Sequence, residues 1–289
     1  MTAGPPGRGR LVELGRLLEI QNLGLNLPFA VAFLLLAAHG LPDLWTTFLL
    51  VVAFVAARNA GHSFNRYTDR DLDARNPRTQ GRALVTGRAS PAAVLSITVL
   101  SGAIVVVAAA LLNPLALLLS PVALALVLGY SVTKRRSPLT TLFLGLVECV
   151  TPAAAFIGVT GTLPLPALLA VVGIFAWGTA FETIHSLGDL ETDTALGLPS
   201  LPRSLGEAAS LRLVPALHAA ALTLLALFGW RLGLGLPYYL GLAAMAVVVA
   251  FTDGEVARNP RDARTAFRRH FVLSALYLAG TVVALFVPL

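Results

Sequence analysis

Long apolar runs separated by short polar stretches organise this chain almost from end to end. Nine runs rich in Leu, Val and Ala fall at about 23–39, 43–64, 92–112, 114–131, 139–160, 164–186, 209–230, 234–251 and 270–288. None alternates polar and apolar residues at a period of two, as a lipid-facing barrel strand would. Each approaches the roughly 20 apolar residues that one helix needs to cross a bilayer core. The pattern predicts an all-α integral membrane protein with nine transmembrane helices. It places a single membrane domain at 23–289, preceded by a polar, then amphipathic, segment over 1–22 in which no cleavable signal peptide is read.

Composition agrees with the pattern. Hydrophobic residues make up 56% and charged residues 12%, and the mean hydropathy is +0.79, whereas soluble domains carry about 25% charge. Basic residues then orient the bundle. Of the 21 Lys and Arg, 19 lie before the first run or in the 2–3, 4–5, 6–7 and 8–9 connections. The positive-inside rule puts the N-terminus and those connections in the cytoplasm, in a cell (inner) membrane. This topology signal and attraction to anionic lipid account for the net charge of +6, so no nucleic acid partner is expected. Cys149 is the single cysteine, which leaves no disulfide to argue for.

Topology does not require acids, yet 7 of the 15 fall in two short patches: Asp69, Asp71 and Asp73 after the second run, and Glu182, Asp189, Glu191 and Asp193 around the end of the sixth. If the helices continue past the membrane boundary, Arg58, His62, Asn65, Asp69 and Asp73 share one face, and Glu182, His185, Asp189 and Asp193 share another. A single D-x-x-x-D on a helix end is ordinarily a wet surface. Two of them, 120 residues apart at the same expected membrane face, suggest equivalent positions in two halves. Oxygen ligands without a Cys or His cluster suit a hard cation such as Mg²⁺, which binds through few carboxylates, waters and substrate phosphates. Arg78, Arg82, Lys134 and Arg135 supply the complementary charge for a polyanion, and a site of this kind at a bilayer surface suits a lipid diphosphate.

These residues carry a resemblance. Asn65 to Arg82, read as N-x-x-x-D-x-x-x-D followed by R-T-x-x-R, resembles the first signature of the UbiA superfamily of intramembrane aromatic prenyltransferases. The Y-S-x-x-K-R stretch at Tyr130 to Arg135, with Leu144, Gly145 and Pro152 after it, is similar to a second family segment. Asp189 to Asp193, then Gly197 to Pro202 and Gly206, is similar to the second D-x-x-x-D signature and its loop, and Leu27 to Ala30 resembles a stretch of the family's first helix. The resemblance implies helices bundled around a central cavity that opens sideways to lipid. It implies two Mg²⁺ ions, held by Asn65, Asp69 and Asp73 and by Asp189 and Asp193, on a polyprenyl diphosphate whose departure Arg78, Arg82, Lys134 and Arg135 assist. Asp69, Asp73, Asp189, Asp193 and Lys134 are the expected catalytic residues, with Tyr130 at the substrate. The allylic cation would then alkylate an electron-rich aromatic ring.

Within the superfamily, the chain looks most like the 4-hydroxybenzoate polyprenyltransferases of quinone (ubiquinone or menaquinone) biosynthesis. It departs from that branch at Glu182, His185 and Gly188, where the branch has Asp, Tyr and Gln, and Arg66 and Ala83 also differ from common relatives. Arg58, Glu182 and His185 are candidate substrate contacts, and His62 borders the acceptor. Arg58 has a second reading, a structural pair with Glu148, and Glu148 and His218 read first as structural intramembrane groups. Other superfamily acceptors are a dihydroxynaphthoate, haem, chlorophyllide and a lipid glycerol. A transporter is the alternative from another class, but its charges would sit at the bilayer midplane on broken helices rather than at helix ends.

Overall fold

A computed structural model describes residues 26–76 and 79–287. Every regular element in it is helical: α1 Leu27–Ala38, α2 Leu44–Thr68, α3 Arg70–Arg75, α4 Pro91–Leu112, α5 Pro114–Thr133, α6 Thr140–Glu148, α7 Val150–Thr160, α8 Leu165–Gly188, α9 Leu190–Ala195, α10 Leu201–Leu205, α11 Glu207–Arg231, α12 Leu236–Arg258 and α13 Ala263–Phe286. Among the described residues eight helical stretches are long and apolar enough to cross a membrane, α6 and α7 together forming one of them, and α1 is a shorter apolar helix. The nine expected runs are thus all helical. The segment expected at 1–22 lies outside the described residues.

Helix starts follow local chemistry. The Asp43 side chain accepts from Thr46 N at 2.9 Å, Ser90 from Ala93 N at 3.1 Å and Asn113 from Ala116 N at 2.9 Å, each satisfying an amide the first turn would leave unpaired. Proline follows Ser90 and Asn113 at the first helical position, where its missing N–H costs nothing. The fifth run breaks between α6 and α7 at Cys149. Pro152 explains the break, because it has no N–H for the carbonyl of Glu148 and its ring crowds that same carbonyl. Two ends differ from the hydropathy reading. α12 runs seven residues past its apolar stretch and α13 begins seven before it, since hydropathy marks the membrane boundary while helical hydrogen bonding continues beyond it.

The bundle is lopsided. α2 packs against α4, α8 against α6 and α11, α12 against α13, and α1 against α7 and α13. The main core lies on the side of α1, α8, α11, α12 and α13, built around Phe29, Phe33, Trp177, Phe228, Tyr238 and Tyr277. The Tyr238 hydroxyl reaches the Leu225 carbonyl at 2.9 Å and the Tyr277 hydroxyl at 3.1 Å. α5, by contrast, buries only Ser120 and Ser131. The space between α5, α2 and the rest is a cavity of about 1510 Å³.

Candidate active site

Both carboxylate motifs sit at helix junctions with nearly the same backbone. Asp69 ends α2 and precedes α3 at φ −90°, ψ 5°. Asp189 ends α8 and precedes α9 at φ −94°, ψ 4°. Helical hydrogen bonding crosses each junction, from Asp69 N to Asn65 O and Asp73 N to Asp69 O, both 2.8 Å, and from Asp189 N to His185 O at 3.0 Å and Asp193 N to Asp189 O at 2.8 Å. Each expected row of side chains therefore exists, but with a bend at its middle carboxylate rather than along one straight helix.

Around the first motif, Asn65 Nδ2 donates to Asp69 Oδ2 at 3.0 Å and Arg135 Nε lies 3.5 Å from Asp69 Oδ1. Arg135 also donates to the Thr68 carbonyl. Arg82 Nη1 donates to both oxygens of Asp73, at 2.7 and 2.6 Å, and Thr79 Oγ1 donates to the Asp73 carbonyl at 3.1 Å, which draws the connection after α3 back onto the site. Around the second, the Tyr130 hydroxyl donates to Glu182 at 2.8 Å, and His185 Nδ1 is turned back on the Phe181 carbonyl at 2.9 Å. Lys134 acts electrostatically on both Asp69 and Asp193, so it stands between the two motifs.

Burial makes this collection of acids costly. It pushes the Asp69 carboxyl above the usual range, against the pull of Lys134 and Arg135, with Asp73 adding to the rise. The Asp193 carboxyl is pushed up to about 6 by burial, which Lys134 opposes and Asp189 reinforces. Asp69 is 5% exposed and its Oδ1 accepts no hydrogen bond. A buried carboxylate oxygen that accepts no hydrogen bond, in a side chain that also contacts Asn65 and feels the charge of Asp73, is a donor group that fits a hard divalent cation. Among the described residues no three His, Cys, Asp or Glu side chains converge as a cage.

The cavity runs from this polar end into the bundle. Asn65, Arg82, Lys134, Asp189 and Arg261 line its mouth; Arg58, His62, Tyr130, Glu148, Phe181 and His185 line it further along; Leu34, Leu50, Val51, Phe54, Leu112 and Leu119 line its apolar part. Asp69, Asp73, Asp193 and Glu182 stand behind that lining and touch or electrostatically face residues in it, and Arg135 reaches it only through Asp69. Arg78 lies outside the described residues. Arg58 bonds His62 and also acts electrostatically on Glu148, which takes hydrogen bonds from Asn26. His218 pairs with Asp253, 3.0 Å from each carboxylate oxygen, away from the cavity.

Sequence reading missed two contributors. Asn26 precedes α1 and bridges Glu148 and His270. Its only signal is a polar side chain at the edge of an apolar run. Arg261, in the connection from α12 to α13, donates to Glu191 at 3.2 Å, Glu207 at 2.8 Å and the Leu187 carbonyl at 3.2 Å, and so ties α8, α9 and α11 together beside Asp189. In the sequence it is one of several topology arginines.

Comparisons with known proteins bear on the family and the fold. The profile of the UbiA prenyltransferase family matches residues 26–285. The 4-hydroxybenzoate octaprenyltransferase of Aeromonas salmonicida is 33% identical over 254 residues, 88% of each chain. That of Xanthomonas campestris pv. campestris is 34% identical over 81% of this chain and 76% of its own. Among solved structures, a UbiA homologue from Aeropyrum pernix has a TM-score of 0.82 at 33% identity, covering 91% of this chain and 98% of that one. A homologue from Archaeoglobus fulgidus bound to DMAPP and Mg²⁺ shares the fold at a TM-score of 0.75 and 19% identity, covering 95% and 99%.

Proposed function

The chain belongs to the UbiA prenyltransferase family, and from that premise we propose that it transfers a polyprenyl group from a polyprenyl diphosphate to a hydroxylated aromatic acid of the 4-hydroxybenzoate type, in quinone biosynthesis. The observation that carries the reading is one cavity with two chemically distinct parts: a charged mouth bearing Asn65, Lys134 and Asp189, and an apolar part continuous with it. A diphosphate headgroup and a hydrocarbon tail ask for those two environments in that order. The similarity to curated 4-hydroxybenzoate octaprenyltransferases supports the acceptor class.

In this reading Asn65, Asp69 and Asp73 would hold one Mg²⁺ and Asp189 and Asp193 a second. Held there, the metals supply Lewis-acid stabilisation of the departing diphosphate. Lys134, between the motifs, and Arg135, beside Asp69, stabilise the negative charge that develops as the carbon–oxygen bond breaks. Arg82 exchanges Asp73 for a diphosphate oxygen, and Arg78 joins it. Tyr130 and Glu182 fix one wall through their hydrogen bond. Arg58 meets the acceptor carboxylate, and His185 borders the ring. The apolar walls exclude water, which would otherwise trap the allylic cation. The mouth faces the cytoplasm and the protein resides in the cell membrane.

The test is product formation in membranes carrying the protein, with Mg²⁺, labelled polyprenyl diphosphate and either 4-hydroxybenzoate or a dihydroxynaphthoate, beside an Asp69→Ala control. A prenylated acid that disappears in the control is expected. Diphosphate release without a prenylated acid refutes the acceptor class, and intact diphosphate in every reaction refutes the ionising site.

A further inference from the structure

Glu148 is a carboxylate that the reaction outlined above does not use. It lies eight residues into the span of α6 and α7, about 12 Å along the helix from its start, and it lines the cavity. A carboxylate at that depth on the lipid side would cost several kcal/mol, and such residues are kept where they meet a polar partner.

The fold makes room for it deliberately. Pro152 breaks the helix at the Glu148 carbonyl, and α8 carries Gly178 against the side chain. A Cβ at Gly178 would meet Glu148 Cβ and Cγ at 2.9 Å each, closer than real side chains approach. Asn26 Nδ2 then donates to both carboxylate oxygens, at 3.1 and 3.0 Å, and Asn26 Oδ1 is engaged in turn by His270 Nε2 at 3.2 Å. Three elements, α13, the start of α1 and α8, thus fix one side chain at the cavity wall. A carboxylate has about four acceptor directions, and Asn26 takes one on each oxygen. Arg58 and His62 of α2, one to two turns deeper than Asn65, and Phe181 of α8 line the same cavity, and Arg58 acts electrostatically on Glu148.

We propose that Glu148, oriented by Asn26, accepts the hydroxyl hydrogen of the aromatic acceptor and is a specificity-determining residue. The inference rests on the prenyl-transfer reading above. It adds that the ring enters one to two helical turns deeper than the diphosphate, with a hydrogen-bond donor toward α6. A built acceptor discriminates strongly against a ligand that lacks the donor, because the buried polar group is then left unpaired.

The experiment measures KM for both substrates, and inhibition by 4-methoxybenzoate against 4-hydroxybenzoate, in wild type, Glu148→Gln and Glu148→Leu. Wild type is expected to bind the hydroxy acid at least about tenfold better than the methoxy acid. Glu148→Leu should raise the acceptor KM about tenfold or more and erase that preference, while the polyprenyl diphosphate KM stays within about twofold. Equal changes in both KM values, or an unaltered hydroxy-to-methoxy ratio in the variants, overturns the proposal and leaves Glu148 a packing residue. If neither variant accumulates, the wild-type ratio decides: indifference to the methoxy group overturns it, and strong preference together with a loss of that preference in Asn26→Ala sustains it. A wild type that prenylates no acid refutes the underlying reaction instead.

Discussion

The Arg82–Asp73 pair separates a binding site from a structural ion pair, because the two readings predict different double-mutant behaviour. Arg82 Nη1 reaches both oxygens of Asp73 at 2.7 and 2.6 Å, with side chains 25% and 9% exposed. Charge-assisted hydrogen bonds contribute about 1.5–3 kcal/mol, and the partial exposure of Arg82 places this pair near the lower end. Arg82→Ala should therefore destabilise the protein by about 1.5 kcal/mol, a fall of roughly 3–5 °C in thermal midpoint for a chain of this size. Adding Asp73→Asn removes the stranded charge and should return about half of that loss. Turnover should behave otherwise. If Arg82 moves to the diphosphate and Asp73 to a metal, each single change lowers kcat by about 10²-fold or more, and the double variant gains nothing back. Midpoints in detergent by intrinsic fluorescence, with product formation from labelled polyprenyl diphosphate, read both quantities on the same preparations. A double variant that recovers activity in proportion to its stability would refute the functional assignment and leave the pair structural.

Asp69→Asn should abolish product formation without lowering the thermal midpoint, since it removes a buried carboxylate whose Oδ1 accepts no hydrogen bond; a large loss of stability would contradict that account. Tyr130→Phe leaves Glu182, 9% exposed, without its 2.8 Å donor, and should lower the midpoint by an amount equivalent to about 1–3 kcal/mol while raising the KM for the diphosphate. Gly178→Ala places a methyl 2.9 Å from Glu148 Cβ and Cγ, and overpacking of this kind costs about 1–3 kcal/mol; unchanged stability would mean that α6 and α8 separate more easily than their contact suggests. Arg261→Ala should weaken the Mg²⁺ dependence of turnover more than it lowers the thermal midpoint, because its guanidinium ties Leu187, Glu191 and Glu207 around Asp189; a midpoint shift with unaltered Mg²⁺ half-saturation would make it a purely structural tie.

Much of the fold is legible because hydropathy and helical hydrogen bonding select the same segments in a bilayer, where the backbone has no water to turn to. The limits of the reading are equally physical. Residues 252–258 and 263–269 are polar enough to leave the membrane yet remain helical in α12 and α13, so a transfer scale reports where the lipid ends and not where the helix does. Motif spacing singles out Asn65, Asp69, Asp73, Asp189 and Asp193 as candidates because polar and acidic residues at a period of four on apolar helices have few structural uses. It did not reveal Asn26 or Arg261, whose partners lie 122 and 54 or more residues away in the chain. Nor did it reveal Asn26 as a partner of Glu148, a contact that tertiary packing makes.

The two carboxylate junctions share a local backbone geometry although their sequences differ. Over the motifs, only the spacing of the acids is shared, and the residues four before the first acid are Asn65 and His185. Yet φ and ψ at Asp69 and Asp189 agree to within a few degrees, and each is followed by a six-residue helix. A ψ near 0° is also found at other helix ends of this chain, such as Leu196 and Leu232, so at Asp69 and Asp189 it marks where the first helix stops. It bends each motif at its first aspartate while keeping the helical hydrogen bond that carries the second. A straight helix could place Asp73 or Asp193 only further out along the same axis, into water. The bend is therefore what the pairing of acids at these helix ends requires of the backbone, and it leaves side-chain identity elsewhere free to diverge, as Asn65 and His185 have.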